Sequence, residues 1–204
     1  MKILARCIEN VFNIFPTDRD KLLEYNELSD VCINLQSFIL NIFACVDNLA
    51  WIWVYEKNIT KSDETPIPKQ WVGLRKNNSI IRKSFSHEFK EYLEKLDDWF
   101  DHIENYRHAF AHRITLYVPQ YIIQNRNEVD YLNLENMKTE SLKDNNLEYY
   151  NYLSSKQDKL GIIVPFMIHS LEDGAKPIYF HPQILADFNT IEELAWKMLE
   201  ELGR

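Results

Sequence analysis

Apolar positions recur in helical steps along most of this chain. The first fifteen residues are a mixed amphipathic run that stops near Pro16 and predicts a short first helix. Thr17 or Asp18 is then placed to cap a long second helix. In it Leu28, Cys32, Leu35, Ile39, Ile42, Val46, Leu49 and Trp53 follow in alternating steps of four and three, so one face is predicted to stay buried for several turns before the helix ends near Asn58. A loop is expected over 60–70, where Pro66 and Pro68 fall, and 71–85 shows no clear period. A third major helix is predicted from about Ser86 on the stripe Phe89, Leu93, Leu96, Phe100, Ile103, Arg107 and Phe110. That spacing puts an arginine where an apolar residue belongs.

Pro119 limits how far this helix can run, and the pattern is weaker beyond it. Residues 121–133 read as irregular, and Leu142 to Lys159 as a helix closed by Gly161. Ile162 to His169 and Pro177 to His181 are β-like runs, with Glu172-Asp173-Gly174-Ala175 between them as a hairpin turn. Thr190 and Glu193 form a capping box for a last helix reaching about Leu202. The reading is a mostly α fold with a small C-terminal β-hairpin and a final helix. It is one domain over 1–204, with a helical core over about 1–118 and an extension over about 119–204.

Composition narrows the function. The net charge of −8 excludes a broad basic face that would coat nucleic acid non-specifically, although it leaves room for a local anion site. The most positive patch is Arg75, Lys76, Arg82 and Lys83, for which a solvated loop is the default reading and guidance of RNA the functional one. The four glycines, Gly73, Gly161, Gly174 and Gly203, are far apart, which removes the P-loop, the dinucleotide fingerprint and the nucleophile elbow together. Cys7, Cys32 and Cys45 form no CxxC pair and read as reduced, buried thiols of a cytoplasmic protein. No run resembles a secretory signal. The most apolar region, Phe38 to Tyr55, contains Asn41, Asp47 and Asn48, so a buried core helix is expected rather than a membrane span.

The chemistry concentrates in Tyr106-Arg107-His108-Ala109-Phe110-Ala111-His112-Arg113. A guanidinium binds an anion, and an imidazole moves a proton near neutral pH. Arg107 and His112 lie about 140° apart on a straight helix. They meet on one ligand only if the helix bends or ends near Ala111, or if two chains share the site across a symmetric dimer. Two other readings stay open. Arg107 could form a buried salt bridge with Asp47 that only fixes helix register. His108 and His112, four apart, have the spacing of two metal ligands, but no HExxH glutamate and no third ligand accompany them. Asp97, Asp98 and Asp101 read as the solvated face of the third helix, Trp51 and Trp53 as core or interface aromatics, and His169 and His181 have no identifiable role.

Arg107-His108-Ala109-Phe110-Ala111-His112 resembles the RX4–6H signature of the HEPN superfamily (higher eukaryotes and prokaryotes nucleotide-binding), in which the residue after the arginine is often polar, as His108 is. Asp47-Asn48-Leu49-Ala50-Trp51 resembles the polar spot that many such proteins carry in an otherwise apolar helix near the motif. The resemblance covers roughly residues 17 to 118, with the hairpin and last helix as an extension like those of uncharacterised bacterial members. It implies an antiparallel helical bundle and, in active members, a metal-independent endoribonuclease of toxin or defence type. Arg107 and His112 would then be catalytic, the first stabilising charge on the scissile phosphate and the second serving as general base or acid, with Asp47, Asn48 and His108 in support. The implied partners are RNA, a second copy of the chain and a protein antitoxin, with no membrane, cofactor or metal. The superfamily also holds members that bind a nucleotide, RNA or protein without cleaving, so the alternative is a non-catalytic module.

Overall fold

A computed structural model describes residues 1–112, 116–169 and 176–204, except for the side chains of 110–112. Among these residues the chain forms eight α-helices and two small antiparallel sheets. The helices are α1 (Lys2–Ile14), α2 (Tyr25–Glu56), α3 (Ser79–Lys83), α4 (His87–Lys95), α5 (Asp97–His112), α6 (Glu128–Lys143), α7 (Leu147–Gln157) and α8 (Phe180–Leu202). The strands are β1 (Tyr121–Ile123), β2 (Gly161–Ile163), β3 (Phe166–Met167) and β4 (Ile178–Tyr179).

α2 is the spine, and α1, α5 and α8 all pack on it. Its fully buried positions include Val31, Leu35, Phe38, Ile42 and Ala50, which meet Leu4, Val11 and Phe15 of α1 and Ile184, Ile191 and Leu194 of α8 in one apolar cluster. Of the stripe expected from the sequence, Leu35, Ile39, Ile42, Val46 and Trp53 are buried, whereas Leu28, Cys32 and Leu49 are only partly so, and the buried face also takes in Val31, Phe38 and Ala50. α2 is also long and apolar enough, by length and composition alone, to cross a membrane. α8, assigned to the extension by the sequence, shares the core of α1 and α2.

Several boundaries differ from expectation, each for a local reason. α2 starts at Tyr25 rather than after Thr17 or Asp18. Glu24 and Glu27 make the capping box there, while Arg19 donates to the carbonyls of Ile14, Lys21 and Leu22 and holds 16–24 as an ordered loop. The helix predicted to run on from Ser86 breaks at Leu96, between α4 and α5. Arg82 anchors the break, donating to the Leu93 carbonyl at 3.4 Å and pairing with Asp97. The expected helix over 142–159 is interrupted at Asn145, whose φ of 55° ends α6. The start of α6, residues 128–133, falls where irregular chain was expected.

The β-like runs also split differently. β3 and β4 pair antiparallel, Phe166 with Tyr179 and Met167 with Ile178, while β2 pairs instead with β1, inside the stretch read as irregular. The proposed turn at 172–175 lies outside the described residues. Gly161 opens β2 instead of closing a helix. A Cβ there would run into the Tyr121 ring, whose hydroxyl accepts from the Gly161 N–H at 2.8 Å. Thr190 is interior to α8, its hydroxyl bonded back to the Ala186 carbonyl at 2.9 Å, so it caps nothing. His181, expected on the hairpin, lies in the first turn of α8.

Candidate functional site

The site is built on α5, which has two chemically distinct flanks. On one, Asp97, Asp101 and Glu104 recur in steps of four and three and share a face. They receive, in reverse chain order, Arg82, Lys76 and Arg75 from the segment leading into and through α3. The Arg82 side chain is 11% exposed and also donates to the Leu74 carbonyl at 2.8 Å. Lys76 Nζ reaches Asp101 at 3.2 Å in an exposed pair. Most of the expected solvated acidic face and solvated basic loop are thus two halves of one docking ladder, and Asp98 and Lys83 stand out in solvent as read.

At the upper end of this ladder Arg75 and Arg107 converge on one aromatic ring. The guanidinium carbon of Arg75 lies 5.5 Å from the centre of Phe43 on α2, and that of Arg107 lies 5.2 Å from it. Arg75 is also paired with Glu104, whose carboxylate stands 3.4 Å from His108 Nε2. Among the described residues Arg107 makes no hydrogen bond and no salt bridge, although it is half-buried. One turn from Phe43, Asp47 is half-buried too. Burial raises its carboxyl above the usual range, and the charges of Arg75 and Arg107 pull it back down. Burial likewise lowers the Arg75 guanidinium, with Asp47 opposing and Arg107 adding to the effect.

The predicted site residues therefore divide. Arg107 and Asp47 lie in one electrostatic neighbourhood, but they form no salt bridge among the described residues, so the register-fixing ion pair is not what holds Arg107. Asn48 faces solvent, away from them. His108 is exposed and belongs to the Glu104 ladder. His112 is the last residue of α5, and its side chain lies outside the described residues. Arg107 is not on the core stripe. The buried line of α5 is Phe100, Ile103, Tyr106 and Ala109, and Arg107 sits beside it. The break at Leu96 resets the register that a continuous helix would have carried through. Sequence reasoning missed Phe43, Arg75 and Glu104 as neighbours of the motif. The steps of Asp97, Asp101 and Glu104 were a readable signal; an apolar Phe43 in an apolar helix gave none.

The opposite flank of α5 faces α8. Trp99 Nε1 and Gln183 Nε2 both donate to Oδ1 of Asp187, at 2.9 and 2.8 Å. Asp187 is 1% exposed, its Oδ2 has no hydrogen-bond partner, and burial pushes its carboxyl up to about 6. Tyr106 lies between His102 and His169, with ring centres 5.0 and 4.8 Å away. Burial and the nearby Asp187 raise its phenol well above the ordinary value. Burial, with His169 adding, lowers His102. His181 sits 2.6 Å from the Phe15 carbonyl through Nε2, and burial lowers its imidazole while that carbonyl opposes the shift.

Among the described residues no three His, Cys, Asp or Glu side chains gather as a metal site requires. No protein-family model, no curated protein and no solved structure matches this chain.

Proposed function

We propose that this protein is a HEPN-like, metal-independent endoribonuclease whose phosphate-binding group is Arg107. The observation that carries the reading is the state of that side chain: a half-buried guanidinium, held over Phe43, with no hydrogen bond or salt bridge among the described residues. Guanidinium donors partly withdrawn from bulk water, with no acceptor among the described residues, favour an anionic ligand. The RX4–6H spacing that Arg107 heads supports an RNA phosphodiester as that anion.

In the proposed reaction the 2′-hydroxyl attacks the adjacent phosphorus. His112 takes the hydroxyl proton, the bond to the 5′-oxygen breaks, and that oxygen gains a proton as it leaves. The products are a 2′,3′-cyclic phosphate and a free 5′-hydroxyl. Arg107 stabilises the charge that builds on the non-bridging oxygens. Asp47, one turn from Phe43, positions the arginines through its charge. A second copy of the chain completes the site, because Arg107 and His112 diverge on one helix.

The test is cleavage of varied RNAs by the purified protein in chelator, beside Arg107→Ala and His112→Ala. Cyclic-phosphate ends that vanish in both variants support the proposal. Equal cleavage by all three proteins, or none by any, refutes it; RNA binding lost in Arg107→Ala without any cleavage points to the non-catalytic module.

A further inference from the structure

We infer that Arg75 is a second phosphate-contact residue of the Arg107 site, and that Glu104 holds its place until RNA arrives; this rests on the RNA reading above. Two guanidiniums share the Phe43 ring, at 5.5 and 5.2 Å from its centre. Bringing like charges together in a half-buried position is unfavourable unless an anion lies between or beside them. Asp47 is near enough to influence both, yet bonds to neither among the described residues. Of the two arginines Glu104 pairs only with Arg75, and the same carboxylate also stands 3.4 Å from His108 Nε2.

That pair is not needed to dock the segment, because Arg82 and Lys76 already tie it to α5 through Asp97 and Asp101. Glu104 has a second place to go: His108 Nε2 is 3.4 Å from its carboxylate. When a phosphodiester takes the Arg75 fork, Glu104 swings to His108. Arg75 and Arg107 then grip one phosphate, or two successive ones, beside the Phe43 ring. The geometry suits arginine on both sides, since a planar fork can lie on the ring and still present two donors to phosphate oxygens.

The test is binding of a fluorescent 2′-O-methyl oligoribonucleotide, which cannot undergo 2′-hydroxyl attack, measured by anisotropy from low to high salt. Two phosphate contacts give a log–log salt slope of about −1.4 for a single strand, and losing one removes about 0.7 of it. Arg75→Gln is expected to weaken binding at least about fivefold at low salt and to flatten the slope by that amount. Glu104→Gln breaks the same ion pair but leaves both guanidiniums, so it should bind as tightly as the unaltered chain or more tightly. If Glu104→Gln weakens binding as much as Arg75→Gln does, the pair is merely structural and the inference fails. It fails equally if Arg75→Gln changes neither affinity nor slope, or if the unaltered chain does not bind the oligonucleotide. Binding with the expected Arg75 dependence, in a protein that cuts no RNA, leaves this inference standing and removes only the nuclease.

Discussion

Replacing Asp187 by Asn tests how the two flanks of α5 differ. The carboxylate is buried between α5 and α8 with two neutral donors on Oδ1 and no cation beside it among the described residues. Its folded-state value of about 6 lies above the ordinary 3.8. The folded protein therefore binds a proton that the unfolded chain releases, and the stability this group supports is present at low pH and lost as pH rises through 6. Applied to those two values, linkage gives a loss of roughly 1 kcal/mol between pH 5 and pH 7, and about 3 kcal/mol in all at high pH. Asn keeps an oxygen for Trp99 and Gln183 and carries no charge. Urea unfolding of both proteins across pH 5 to 7.5 isolates the residue, because His102 and His181 titrate alike in each. The stability of Asp187→Asn relative to the unaltered chain should grow by about 1 kcal/mol from pH 5 to 7, a few degrees in Tm for a chain of this size. A difference that stays constant over that range refutes the raised carboxyl, whatever its sign.

Other consequences are simpler to read. Arg82→Ala removes the donor to Asp97 and to the Leu74 and Leu93 carbonyls, leaving a partly buried carboxylate, and should cost about 2–4 kcal/mol in denaturant unfolding. Lys76→Ala breaks the exposed Asp101 pair and should change stability by less than about 1 kcal/mol; a larger loss would mean that the ladder is a cooperative unit. Gly161→Ala forces a methyl against the Tyr121 ring and should cost roughly 1–3 kcal/mol, recovered in large part when Tyr121→Ala is added. Trp53→Phe loses the 2.8 Å bond to the Ser84 hydroxyl at the edge of the core and should cost about 1 kcal/mol, read from the urea midpoint.

The helical skeleton was legible wherever an apolar stripe ran uninterrupted. α1, the buried face of α2 and the amphipathic character of α5 follow from side-chain spacing, because a helix must present such a stripe to a core. Arg107 and Asp47 were also legible, as polar residues in apolar helices. The pairing of β1 with β2, the break at Leu96 and the reach of α8 through Thr190 were not. Each depends on a partner distant in sequence: Tyr121 for Gly161, Arg82 for Leu93 and Asp97, and the core of α1 and α2 for α8.

Side-chain spacing alone gives a mostly helical chain in which an arginine interrupts an apolar stripe near the end of a long amphipathic segment. Only the tertiary structure decided what surrounds that arginine. Phe43, Arg75 and Glu104 come from three separate stretches, and Arg107 owes its flank position to a break that Arg82 anchors from α3. Local spacing fixes which face of a helix a side chain occupies; packing between helices fixes which charges it meets there, and with them whether an anion can bind.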